Sequence, residues 1–246
     1  IELWDGLDEY SYTSSYSVYG VLKVGEPLLQ FRIPALQTVE DPNSPYYGYQ
    51  VVNNNGVPNV DSSKYKYLGC SQPDFTMGFN TTLRWKDLTF TAVGDWRHGG
   101  MMYSRTANIT GFNGNATFTV QNERDPFILP KTVKQVNGEY VENNIPIMAS
   151  YWPTAFGNQS MARVREDWVL PKDYFKLREV TLAYTLPTKI LKKTFLKQVT
   201  VSAIGRNLFL GTPKANNLVD PESTNLGNDL DSEFGETQGT ISTRNF

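Results

Sequence analysis

The chain has 246 residues, 39% of them hydrophobic, with a formal net charge of -2 and a mean hydropathy of -0.42. That balance excludes a disordered chain and supplies no basic surface for nucleic acid. One cysteine, Cys70, excludes an internal disulfide framework; no Cys or His pair has zinc spacing, and no metal or other cofactor is expected.

No apolar run reaches the roughly 18 to 20 residues of a membrane-spanning helix, which rules out a helical membrane protein. The chain opens at Ile1 without an initiator Met, a basic segment or an apolar leader, and it reads as a piece of something longer. Aromatic residues make up 13%, 14 of them Tyr, with Asn, Thr, Ser and Gly crowded between them. This mixture favours strands and long polar loops.

In chain order, the first clear strand is PDFTMGFNTTLRW, where Phe75, Met77, Phe79, Leu83 and Trp85 share one face and Thr76, Gly78, Asn80, Thr82 and Arg84 the other. After Lys86 and Asp87 comes LTFTAVGDWR, with Leu88, Phe90, Ala92, Gly94 and Trp96 opposite Thr89, Thr91, Val93, Asp95 and Arg97. The spacing predicts a hairpin with a very short turn. Residues 99–173 follow as a long loop, entered through Gly99 and Gly100.

The second pair starts at DYFKLREVTLAYTLP, where Val180, Leu182, Tyr184 and Leu186 face one way. Its alternation changes phase near Arg178, which is expected to place Lys176 and Arg178 above a membrane, where both faces are wet. The turn TKILKKTFLK, Thr188 to Lys197, has helical spacing. It leads to a strand from Val199 to Asn207, with Val199, Val201, Ala203 and Gly205 on one face. Residues 210–240 form another long loop.

Short turns at one end and long loops at the other form the asymmetry of an outer-membrane β-barrel. The polar faces carry Thr, Asn, Gly and Arg, and Trp85, Trp96, Tyr184 and Tyr174 sit near strand ends, where aromatic girdles lie. The predicted fold is all-β, with the four strands antiparallel in one sheet and both short turns at its periplasmic end. The alternative is a soluble glycan-binding β-sandwich, whose inner faces would be large and apolar.

YKYLGCSQPDFTMGFNTTLRWKDLTFTAVGDWRHGGMMYS, then DYFKLREVTLAYTLPTKILKKTFLKQVTVSAIGRNLF, a terminal STRNF and, upstream, VYGVLKVGEP together resemble the C-terminal barrel region of SusC-like (RagA-like) TonB-linked outer-membrane transporters. The resemblance implies residues 1–246 of an antiparallel transmembrane β-barrel of 22 strands in the outer membrane of a Gram-negative cell, with residues 99–173 and 210–240 extracellular. It implies import of oligosaccharides or peptides without chemistry on the cargo, a SusD-like lipoprotein as cap, and energy from TonB. Neither the plug nor the TonB-contacting segment is present. The roughly six to eight recognisable strands cannot close such a barrel, and the chain reads as a C-terminal fragment of it.

Arg97, His98, Tyr103, Tyr151 and Trp152 are the candidate substrate-contacting residues, with Tyr46, Tyr47 and Tyr49 as further loop aromatics that stack on sugar rings, meet a capping lipoprotein or simply pack. His98, the only histidine, stands beside Asp95 without a Ser or Cys nucleophile motif, and no catalytic residue or enzyme activity is expected. NDLDSEFGE, Asn228 to Glu236, lacks the ligand order of an EF-hand and reads as a solvated loop. Sequons begin at Asn80, Asn108, Asn115 and Asn158 and fit the Asn/Thr-rich composition without glycosylation. The apolar side chains of residues 99–173, among them Phe127 and Ile147, exceed what a solvated loop carries and are expected to cover the barrel mouth and a second protein.

Overall fold

The computed structural model describes residues 3–4, 6–15, 17–120, 122–148, 166–192, 194–223 and 230–236. They fall into two compact units, one drawn from Pro73–Gly100 and Pro171–Glu222, the other from Ile1–Gln72, Met101–Leu170 and Ser223–Gly239. The strands are β1 (Glu9–Ser15), β2 (Val18–Lys23), β3 (Gln30–Leu36), β4 (Gln50–Val51), β5 (Val60–Cys70), β6 (Phe75–Trp85), β7 (Leu88–His98) and β8 (Met101–Ser104). Helix α1 (Arg105–Phe112) follows, then β9 (Thr132–Val136), β10 (Glu139–Glu142), β11 (Val169–Pro171), β12 (Tyr174–Thr185), the short helix α2 (Thr188–Leu191), β13 (Thr200–Gly211), helix α3 (Leu230–Phe234) and β14 (Gly235–Glu236).

The unit built from the two hairpins is one antiparallel sheet in the order β13-β12-β7-β6. Alternation accounts for it, since cross-strand neighbours on one face match in character. Trp85 opposes Leu88, Leu83 opposes Phe90 and Met77 opposes Trp96. The row continues from Phe90 to Leu182 and from Leu88 to Tyr184, then to Ala203 and Val201. On the other face the Thr82 and Thr91 hydroxyls lie 3.4 Å apart, and those of Thr185 and Thr200 3.0 Å apart.

Lys86 supplies the left-handed residue of the two-residue turn, at φ 52°. Tyr184 stands opposite Leu88, the Thr185 amide donates to Asp87 O at 2.9 Å, and Leu186 N donates to Val199 O at 2.9 Å. Both short turns therefore lie at the same end of the sheet, as expected. The second connection is less helical than its spacing suggested, because α2 covers four residues and Phe195 beyond it is almost fully exposed. Strands β12 and β13 are each 12 residues long, so the second hairpin exceeds its expected limits at the end remote from the turns.

The apolar face stays open, with Leu83 62%, Trp85 69% and Val201 63% exposed. The inner face of a sandwich would be covered. The phase change at Arg178 is a β-bulge: the register slips between Leu177 and Glu179 against both β7 and β13. The extra residue lets Lys176 and Arg178 both reach the polar face within β12.

The other unit holds three further sheets, the four-stranded β1-β2-β3-β5 with mostly shorter strands and the three-stranded β10-β9-β4 and β11-β8-β14; the name four-stranded sheet is kept for that of the two hairpins. Its core gathers Val18, Val21, Leu29, Phe31 and Ile33, all at most 1% exposed. The Phe234 ring stacks on Phe31 at 5.5 Å and on Tyr103 at 5.2 Å. Residues 99–173 therefore carry strands and a helix of their own, and Ile147 is 1% exposed and pairs with Phe127 across an isolated bridge. Part of the apolar content expected to cover a second protein is absorbed locally.

Candidate functional site

The polar face of the four-stranded sheet carries a cluster at the end remote from the short turns. Tyr174 and Lys176 rise from β12 just before the bulge and Arg178 from the bulge itself, and Asp95 comes from β7, opposite Lys176 in register. The segment after β13 adds Asp220 and Glu222. Lys176 Nζ lies 2.8 and 2.7 Å from the two oxygens of Asp220 and 2.5 Å from Glu222 Oε2. Arg178 clamps Asp95 through Nε at 2.5 Å and Nη2 at 2.7 Å, and Nη2 also meets Glu222 Oε1. The planar guanidinium suits this two-pronged contact. The Tyr174 hydroxyl is 2.7 Å from Glu222 and 3.0 Å from Asp95, and its single proton serves one of them at a time.

Three carboxylates against two cations leave the cluster one negative charge in excess. Burial alone would raise the Glu222 carboxyl, but hydrogen bonds from Arg178, Lys176 and Tyr174 and the Lys176 charge overcome it and hold the group at about 2. These groups bind one another; none is placed as a nucleophile or a proton relay. Among the described residues no group of three or more His, Cys, Asp or Glu is arranged to hold a metal ion.

At the same end, His98 Nδ1 lies 2.8 Å from Asp173 Oδ1. That oxygen also accepts from Gly99 N at 3.0 Å, and Lys172 N donates to Gly100 O at 2.8 Å. The two ends of residues 99–173 are thus tied together. Gly99 has φ 82°, and a Cβ there would lie 2.8 Å from Asp74 N, so the position admits only glycine.

The candidate residues from the sequence separate. Arg97 lies on the polar face opposite Tyr174. His98 has the other parity, with its ring 5.4 Å from Phe75 and 6.4 Å from Trp96. Tyr103 is fully buried, stacked on Phe234 and accepting from Ser15 Oγ at 3.2 Å, so it is corrected from a ligand platform to a core residue. Tyr151 and Trp152 lie outside the described residues. Tyr46 and Tyr49 pack on Val39, Val51 and Val133, whereas Tyr47 is exposed.

Two further readings change. Tyr174 leaves the aromatic girdle, because its hydroxyl is bonded on the polar face. In NDLDSEFGE, residues 228 and 229 lie outside the described residues, but Leu230–Phe234 is helical and Glu236 is 1% exposed. A solvated loop would bury neither Phe234 nor Glu236. Asn108 is also buried, with Arg105 on its amide oxygen, and Asn158 lies outside the described residues. Lys176, Arg178, Asp95, Asp220 and Glu222 went unrecognised as a group; the broken alternation at Arg178 was their one visible signal.

No family model matches the chain. It is 27% identical over 189 residues to TonB-dependent receptor P3 of Formosa agariphila, covering 70% of this chain and 16% of that protein. It is 26% identical over 183 residues to TonB-dependent receptor P26 of the same organism, covering 73% and 16%. Among solved structures it is similar to the RagAB peptide transporter, with TM-score 0.55, 14% identity and coverage of 96% of this chain and 23% of that one. The RagAB peptide importer in its open-open state gives TM-score 0.52, 16% identity and coverage of 98% and 23%. The chain thus spans about a sixth of the curated relatives and about a quarter of the solved chains. By their names these relatives are receptors and transporters, not enzymes.

Proposed function

We propose that this chain is part of the barrel wall of a TonB-dependent transporter in the outer membrane of a Gram-negative cell. In this reading the apolar face of the four-stranded sheet meets lipid and the polar face lines the lumen. The observation that carries it is an uncovered apolar face bounded by aromatic rings at both ends. Trp85 and Tyr184 mark the end with the short turns, and Phe75, Trp96 and Phe175 the other, the Phe75 ring set edge-on to Trp96 at 5.0 Å. Phe75 and Trp85 are ten residues apart on one strand, about 34 Å, which at a tilt of about 45° gives a height near the 25 Å of an outer-membrane apolar band.

The polar face, with its threonine hydroxyls and charge cluster, suits a wet lumen, and backbone groups paired within the sheet satisfy the demand that hydrocarbon imposes. The whole protein is read as a 22-stranded importer of peptides or oligosaccharides, working with a SusD-like surface lipoprotein and drawing energy from TonB. The names of the solved neighbours support a peptide cargo and a two-component assembly. The test is cysteine labelling of the full-length protein in cells, with Cys70→Ala as background. Leu83→Cys and Leu182→Cys should react only with a lipid-soluble maleimide, Thr91→Cys and Ser202→Cys with a water-soluble one. Equal reaction on both faces would refute the assignment, and affinity purification of the same protein tests for the lipoprotein.

A further inference from the structure

The chain does not leave the sheet where β13 ends. Residues 212–222 fold back onto the polar face and are fastened there by groups of opposite charge. The three protons of the Lys176 ammonium are all used inside the cluster, two on Asp220 and one on Glu222. Arg178 is shared between Asp95 and Glu222. The side chains of Lys176 and Asp220 are 9% and 8% exposed, so the ammonium is not left to receive a ligand, whereas the Arg178 side chain stays 34% exposed at the rim of the cluster.

The segment is also internally braced. Thr212 Oγ1 donates to Asn216 O at 2.6 Å, the Asn216 amide donates to Pro171 O at 3.1 Å, and Val219 N donates to Asn216 Oδ1 at 3.3 Å. Asn216 is completely buried, and Pro221 is buried beside the ion pairs. Lys214, Asn217 and Leu218 point the other way and are exposed. The segment therefore carries buried anchors at Asn216, Asp220 and Pro221 and open surface at Lys214, Asn217 and Leu218.

Resting on the barrel reading, we propose that residues 212–222 form a fixed strap across the lumenal wall, with Lys176 and Arg178 as its positioning residues. The surface offered to cargo at that level then includes the strap's Lys214, Asn217 and Leu218, with Lys176 covered beneath them. The buried Lys176–Asp220 pair, with its hydrogen-bonded neighbours Arg178 and Glu222, favours one geometry over alternatives, which is what a static lining requires and a swinging gate does not.

The experiment uses the full-length protein with Cys70→Ala, labelled on intact cells with a membrane-impermeant maleimide. Leu218→Cys should react readily and Pro221→Cys about tenfold more slowly, as expected of a position exposed only by local opening. Adding Lys176→Met should bring Pro221→Cys close to the rate of Leu218→Cys, while Lys176→Arg should keep it protected. Hydrogen exchange of residues 212–222 in the variant with Cys70→Ala and Lys176→Met, compared with Cys70→Ala alone, gives a second reading without a cysteine in the strap. It should quicken about tenfold there and stay unchanged in β12 and β13. Equal labelling of positions 218 and 221 with Lys176 intact, or strap exchange indifferent to Lys176→Met, would overturn the proposal. Labelling of Leu83→Cys by the same impermeant reagent would instead overturn the barrel reading, with the strap still judged by its exchange.

Discussion

The ring of Phe79 lies over Gly94 on the neighbouring strand, so closely that a Cβ at Gly94 would sit 2.2 Å from Phe79 Cζ and 2.5 Å from Lys176 O. Phe175 stacks on the same ring at 5.6 Å with an interplanar angle of 12°. An aromatic ring thus fills the space above a glycine in the middle of three strands. Gly94→Ala should cost about 1–3 kcal/mol, because the ring can swing away but the Lys176 carbonyl cannot without shifting β12. Unfolding of the full-length protein in lipid vesicles measures it, and wild-type stability would show that the contact relaxes without strain.

The two faces of the sheet should respond differently to charge. Leu182 lies on the apolar face between Phe90 and Ala203, and Thr91 on the opposite face of β7. In a bilayer Leu182→Arg should cost about 2–4 kcal/mol, while Thr91→Arg should be nearly neutral. The same vesicle titration compares them. Similar losses would mean that both faces meet the same solvent.

The four-stranded sheet was legible because alternation and turn spacing are local, and its register follows once one face must be apolar. The β9–β10 hairpin was equally legible and was missed. Asn137 and Gly138, at φ 50° and 88°, form the two-residue turn that an Asn-Gly pair favours. Other features depend on partners distant in the chain. Nothing near Tyr103 announces that Phe234 will cover it, and nothing near Lys176 announces Asp220 and Glu222. The phase break at Arg178 was visible, but a bulge and a strand leaving its sheet produce the same break. Helix α1 has no apolar periodicity; the Ser104 hydroxyl, accepting from Ala107 N at 3.0 Å, starts it.

Glu222 makes the strap acid-sensitive. Its carboxyl is held at about 2, below its ordinary 4.5, so its charged form is favoured in the folded state. A depressed acid contributes its full share above its unfolded value and loses it as the pH falls through the folded one. Strap protection should therefore be constant above about pH 5 and fall between roughly 4.5 and 2. Glu222→Gln should weaken protection at neutral pH and flatten that descent. Hydrogen exchange of residues 212–222 across this range is the measurement, and an unaltered acid profile in Glu222→Gln would assign the sensitivity to another carboxylate.

The last prediction concerns Glu236, which is 1% exposed and serves as an acceptor at the start of α1. Its Oε1 takes the Ser104 hydroxyl at 2.5 Å and Thr106 N at 2.8 Å, and its Oε2 takes the Thr106 hydroxyl at 2.9 Å. A carboxylate at a helix N-terminus satisfies amides that have no partner within the helix and opposes the positive end of its dipole. Gly235 delivers it: with φ 151° the backbone passes so close to Tyr103 that a Cβ would fall 1.9 Å from Tyr103 O. Phe234, stacked on Phe31 and Tyr103, holds the approach. Glu236→Ala removes the acceptor while its donors stay buried and should cost about 1–3 kcal/mol. Glu236→Gln keeps one acceptor oxygen and should cost less. Gly235→Ala forces the strand off β8 and should be the most damaging of the three. Thermal unfolding and limited proteolysis of the full-length protein rank them, and a Gly235→Ala variant as resistant as wild type would show that β14 is not held against β8.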